Sequence, residues 1–349
     1  MRRSLVLALG ALVSTGCATG AGHSATLSRV PRTRPGAQSF LRLESSPAVF
    51  DVLYRYGQNT ASPDGAYGPN STDPVSGWYV ESQRAGAVNV LDGILRPDQD
   101  PSLVASGLKM FRFGLQREAP SGAFPGSAWP FHGTALFLSE AGPALIALAG
   151  SGMSRQFSPE LRWQIRRMHR AAYFMVHSQG GPGGIDDHTK NHRYFEAAMA
   201  LGSVGLLAHD STLIRWSTVY AWKGIQMQRA SGVMPEDGGH DSGYQALGMV
   251  NASRYLELLA RGSLGRALRE ALALGETWEL SRVRPDGSIN QAGDTRTSGC
   301  QERDPAGQCK TVFYAPIFSA LAHWAAISGE QRFARAAHRV WQRSGYGGS

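Results

Sequence analysis

The chain has 349 residues, of which 42% are hydrophobic and 18% charged, with a formal net charge of +8. That composition can bury a core and excludes global disorder. The positive charge is mostly arginine scattered along the chain without a recognition motif, which excludes a dedicated nucleic-acid binder. Arginine-rich codon usage explains the excess, and so does an anionic partner such as an acidic polysaccharide.

At the N-terminus, Arg2 and Arg3 precede an apolar run over 4–13 that is too short to span a bilayer. Small residues then lead to Cys17, as in a bacterial lipobox. Residues 1–17 are therefore expected to be a signal peptide, with Cys17 lipidated after cleavage. The protein is expected to be exported, as a cell-envelope lipoprotein or in secreted form, and to touch a membrane only through that anchor. Residues 18–45 are rich in Gly, Ser, Thr, Pro and Arg and read as a flexible tether. The domain is then expected over 46–349.

Two stretches, 47–57 and 84–95, suggest a weak helical pair around Asp64-Gly65. From residue 100 the signals are stronger. Asp100 caps and Pro101 opens a helix to about Arg117, Gly122 makes a turn, and an apolar helix follows over 134–149. Ser158 and Pro159 open a helix to His177, Gly183-Gly184 turn, and the next helix runs over 191–209. A third pair covers 211–228 and 241–261 around Gly232, and a fourth covers 264 onward and 312–328 around Gly287. A last helix spans 330–343.

The unit is a helix, a Gly-containing turn and a second helix, repeated every 50–60 residues. Second helices such as AAMALGSVGLLA are apolar and rich in small residues, which marks an inner layer; the amphipathic first helices mark an outer one. This predicts an all-α fold, an incomplete (α/α) toroid of helical hairpins in which every turn lies at one end. An open solenoid is the alternative. Cys300 and Cys309 flank a polar loop and, in an exported chain, are expected to form a disulfide. No metal or cofactor motif is present.

Polar residues gather where the inner helices begin: Trp129-Pro130-Phe131-His132, Asn191-His192-Arg193-Tyr194, Glu236-Asp237 through His240 and Tyr244, and Asp294-Thr295-Arg296. Helix capping explains only part of this pattern. Asn191-His192-Arg193-Tyr194-Phe195 running into an Ala-rich helix, then Gly232-Val233-Met234-Pro235 and Tyr244, resembles the alginate lyases and related uronate polysaccharide lyases, over about residues 120–260. Lys190 stands where that family often has a second Asn.

The resemblance implies β-elimination on a uronate-containing, alginate-like polysaccharide. Asn191 would neutralise the carboxylate, His192 would be the base and Tyr244 the acid, with His240 orienting or replacing the base. Arg193, Tyr194, His132, Trp129, Arg254 and Glu236 are candidate substrate-binding residues, Arg193 and Arg254 standing for the family's arginine. No cofactor is implied. A glycoside hydrolase on the same fold would instead use two carboxylates from Asp187, Glu236, Asp237 and Asp294. A surface lipoprotein that only binds glycans is a third reading.

Overall fold

The computed structural model describes residues 35–55, 59–67, 79–127, 129–178, 189–303 and 307–345. Along the chain lie α1 (Pro35–Glu44), α2 (Pro47–Leu53), α3 (Tyr79–Ser82), α4 (Gly86–Leu95), α5 (Pro101–Leu115), α6 (Pro130–Gly150), α7 (Ser158–His177), α8 (Asn191–Ala208), α9 (Ser211–Met227), α10 (Ser242–Leu258), α11 (Gly262–Arg282), α12 (Tyr314–Ser328) and α13 (Gln331–Ser344). Among the described residues, β-structure is limited to isolated bridges.

From α4 onward the helices alternate between two layers. α4, α6, α8, α10 and α12 pack side by side in that order and are buried on nearly every face. A helix that is apolar all round has to be covered, and α5, α7, α9, α11 and α13 supply the cover. Small residues let the inner helices approach closely: a Cβ on Gly142 of α6 would lie 2.0 Å from Ser203 Oγ of α8. α6 is long and apolar enough to cross a bilayer, but its place in this layer accounts for its composition. α2 continues the inner layer beyond α12. The segment after it returns to α4, where Asn89 Oδ1 accepts from the Asn59 N–H at 2.8 Å. The result is the expected incomplete (α/α) toroid.

The Gly turns repeat in detail. At Gly122, the N–H of Ala119 donates to Ala123 O and the N–H of Gly122 to Ala119 O, both at 2.9 Å. The same pair of bonds recurs at Gly65, Gly232 and Gly287. Each turn leans on the outer helix of the following hairpin. A Cβ on Gly232, at φ +89°, would lie 2.3 Å from Leu274 O of α11. Only glycine fits both the left-handed backbone and that approach. The turn at 183–184 lies outside the described residues.

Two expectations change. α4 pairs with α5 rather than with α2, which packs against α12 and α13. The tether does not extend to residue 45, because residues 35–44 form α1. This helix touches α6, α10 and α12, which are not all neighbours, so it lies inside the ring. Its Phe40 and Glu44 are fully buried. Glu44 Oε1 accepts from Arg254 Nε at 2.8 Å and lies 3.2 Å from His323 Nε2, while Arg254 Nη1 also donates to Glu140 at 2.7 Å. Cys17 and the rest of the expected leader lie outside the described residues.

Candidate active site

The inner helices all begin at the same end of the ring, opposite α1. There a cleft of about 940 Å³ opens, lined by His132 of α6, His192 of α8, Tyr244 of α10 and Phe313 just before α12. Six cationic side chains and three acids line it: Arg84, Lys190, Arg193, Arg296, Arg303 and Lys310 against Glu81, Asp237 and Glu302. The hairpin loops are stitched together at this mouth. Asn191 N–H donates to Pro235 O at 2.9 Å and Asp237 N–H to Thr189 O at 2.7 Å. Asp241 caps α10 with Oδ1 on the Tyr244 N–H. Its Oδ2 accepts from the Arg296 and Thr297 N–H groups at 3.3 and 3.0 Å, fixing the next loop as well.

This stitching sets His192 against Glu236. Glu236 Oε1 lies 2.7 Å from His192 Nδ1 and 3.1 Å from its backbone nitrogen. An oxygen that already accepts one N–H accepts from Nδ1 too, which assigns the proton to Nδ1 and leaves Nε2 as the acceptor of the ring. Burial pushes His192 well below the usual imidazole range, so the ring is neutral. Burial raises Glu236, against the His192 N–H and Arg296.

Tyr244 lies beside it, with ring centroids 5.1 Å apart, and Phe313 backs Tyr244 at 5.1 Å. The Arg296 guanidinium sits 3.4 Å above the phenol ring, and Lys310 Nζ donates to the phenol oxygen at 2.9 Å. Burial, with the charges of Glu302 and Asp241, raises the phenol above its usual range despite Arg296, so Tyr244 is protonated. Glu302 joins the two cations: it accepts from Arg296 at 2.8 and 3.0 Å and from Lys310 at 2.7 Å. Burial would raise its carboxyl, but these bonds outweigh it and hold it at about 2. The sequence reading missed Arg296, Glu302 and Lys310 as site residues. The available signal was three charges packed around the Cys300–Cys309 pair. That disulfide is formed, with Cα atoms 4.7 Å apart.

His132 also faces the cleft, its ring 5.9 Å from that of His192. Its Nδ1 is 3.3 Å from Glu196 Oε2. Donor atoms of His132, His192 and Glu196 lie within 4.8 Å of one another, a set of imidazoles and a carboxylate that can ligate a divalent cation. The set also closes on itself through the His132–Glu196 pair, and Nδ1 of His192 is taken by Glu236. Glu81 of α3 lines the cleft against Gly133 of α6, and burial raises its carboxyl to about 7.

Arg193 and Trp129 are at the cleft as expected, with the guanidinium 5.5 Å from the exposed indole. Several other expected residues are elsewhere. Asn191 is fully buried and turned away, its Nδ2 donating to Gly224 O of α9 at 2.8 Å. Tyr194 is buried against Tyr220 of α9. His240 falls outside α10 because Asp241 caps that helix; it meets Trp278 edge to face and lies 3.5 Å from Asp294. It therefore does not share a helical face with Tyr244. Arg254 lies ten residues further along α10, about 15 Å away at 1.5 Å per residue, in the ion network with Glu44. Glu236 holds His192 instead of lining the cleft. Of the hydrolase carboxylates, Asp294 is buried beside Arg282, Asp237 pairs with Lys190 at the rim, and Asp187 lies outside the described residues.

No family model and no curated protein matches the sequence. Among solved structures, the chain is similar to an unsaturated glucuronyl hydrolase from Bacillus sp. GL1, responsible for the degradation of glycosaminoglycan. The identity is 14% and the TM-score 0.48, over 88% of this chain and 82% of that one. It is also similar to a polysaccharide lyase, at 11% identity and a TM-score of 0.49 over 90% of this chain and 93% of the other. A protein from Actinoplanes aligns at 15% identity and a TM-score of 0.40, over 88% and 80% of the two chains.

Proposed function

We propose that this chain is an exported lyase that cleaves a uronate-containing acidic polysaccharide by β-elimination. The observation that carries the reading is the pairing of a neutral His192, with Nε2 as acceptor, and a protonated Tyr244 on the floor of a cationic cleft. In this scheme Nε2 of His192 removes the C5 proton. The electron pair forms the C4–C5 double bond as the C4–O4 bond breaks, and Tyr244 delivers its proton to the departing O4. Lys310 then stabilises the phenolate. Arg296 and Arg193 face the charge that builds on the substrate carboxylate, the part first expected of Asn191.

The test is incubation with a panel of acidic polysaccharides while ultraviolet absorbance of an unsaturated product is followed. The wild type should generate the chromophore and Tyr244→Phe should lose most of it. Cleavage without a chromophore would overturn elimination. One observation favours a hydrolase as the second reading: Glu81, raised to about 7 in the cleft wall, has the protonation a general acid needs. Hydrolysis would yield new reducing ends only, and Glu81→Gln would abolish it.

A further inference from the structure

We infer that Glu302 is a positioning residue for Tyr244, and that the Cys300–Cys309 disulfide keeps it in place. The inference rests on the reading of Tyr244 as proton donor. The three charges around the phenol come from different points of one loop. Arg296 precedes the disulfide, Glu302 lies inside the ring it closes, and Lys310 directly follows it. Among the acids that line the cleft, Glu302 is hydrogen-bonded to both cations. The backbone repeats the connection, with Lys310 N–H donating to Glu302 O at 2.9 Å.

Without the carboxylate, two cations would flank one phenol with nothing between them. Arg296 would lose the bidentate partner that holds its guanidinium flat over the ring. Lys310 would lose the bond that aims its ammonium at the phenol oxygen. Without the disulfide, what remains between the described parts of the segment carrying Glu302 and the segment carrying Lys310 is non-covalent, including that backbone pair, the Glu302–Lys310 side-chain bond, the Arg303 bond to Gly307 O and the bridge between Arg303 and Cys309. Cys309 is exposed and Cys300 half-buried, so a small dithiol can reach the bond. Reduction is a complete exchange: the dithiol gives two electrons and two protons, both cysteines become thiols, and the reagent becomes a disulfide. The elimination machinery is therefore assembled in the oxidised protein and loosened in the reduced one.

The experiment compares the oxidised full-length protein with the same protein after dithiothreitol, and with Glu302→Gln, Glu302→Asp and a Cys300→Ser/Cys309→Ser pair. The first readout needs no substrate. The ring resonance of Tyr244 in a tyrosine-labelled sample, assigned by its loss in Tyr244→Phe, should move in Glu302→Gln, in the double Ser variant and on reduction. Glu302→Asp should restore much of its position. The second readout is turnover: kcat should fall by as much as about 100-fold, the scale of a small misplacement of a reacting group, with KM changing little. A Tyr244 resonance that stays put in both Glu302→Gln and the reduced protein overturns the inference. If the resonance moves as expected but the wild type forms no unsaturated product, positioning stands and the lyase reading fails.

Discussion

Glu236 Oε1 meets both the backbone N–H and the Nδ1 of His192, so a single oxygen fixes the first turn of α8 and the tautomer of its ring. Glu236→Ala should release the ring and lower kcat by about 10²–10⁴-fold, the range for a lost general base. Activity needs the unprotonated imidazole, so it is present above the pKa of His192 and lost as pH falls through it. Because burial depresses that pKa, the acid limb of kcat/KM should lie well below the unperturbed value of about 6.5. A limb at or above 6.5 would remove His192 from the role of base.

Asn191 separates a scaffold role from a catalytic one. Its amide holds the Gly224 carbonyl at 2.8 Å, away from the cleft. Asn191→Ala should cost roughly 1–3 kcal/mol, the scale of leaving a buried acceptor unpaired, while the folded fraction keeps near-normal turnover. Thermal denaturation beside steady-state kinetics measures both. A collapse of kcat with stability unchanged would return Asn191 to the site.

Arg254 tests the far end of the ring. Arg254→Met leaves the buried Glu44 and the half-buried Glu140 without the guanidinium they share and should destabilise by roughly 3–5 kcal/mol. Burial raises Glu44, but Arg254 and His323 outweigh it and lower the carboxyl from 4.5 to about 2. Stability from this depressed carboxyl is present above about 4.5 and lost as pH falls toward 2. The gap between wild type and variant should therefore be widest near neutrality and narrow across that window. Urea titrations at pH 7 and pH 3 would show it; an equal gap at both would mean that Glu44 is not the linked group.

The three donors His132, His192 and Glu196 give a fourth test. If His192 acts as a base through Nε2, that atom has to be open to substrate. Prolonged dialysis against a chelator should then leave turnover unchanged, and added zinc should inhibit by occupying the donors. Loss of activity on chelation, with recovery on adding a divalent cation, would make this cluster a metal centre and displace His192 as the base.

Much of the fold was legible because its signals are local. Gly122, Gly232 and Gly287 recur at hairpin spacing, and small apolar runs such as 197–208 can only be inner helices. His192 and Tyr244 were legible because they open inner helices, and the turns put every such opening at one end. Helical geometry defeated the rest. Adjacent residues point about 100° apart, which leaves His192 and Arg193 at the cleft and turns Asn191 and Tyr194 toward α9, against Gly224 O and Tyr220. Arg296 was visible only as part of a polar cluster, without a role, and Glu302 and Lys310 were invisible because a loop without helical periodicity delivers them to Tyr244. Nothing in the sequence spacing joins residue 244 to residue 310.

The way each turn leans on the following hairpin lays the repeats like roof tiles, each edge held down by the next course. Gly287 rests on Arg339 of α13, which in turn packs against the short α2. The loop that carries Arg296 and Lys310 leaves from that last tile. α13, which bears none of the groups that line the cleft, is thus the weight that keeps one wall of the cleft from lifting.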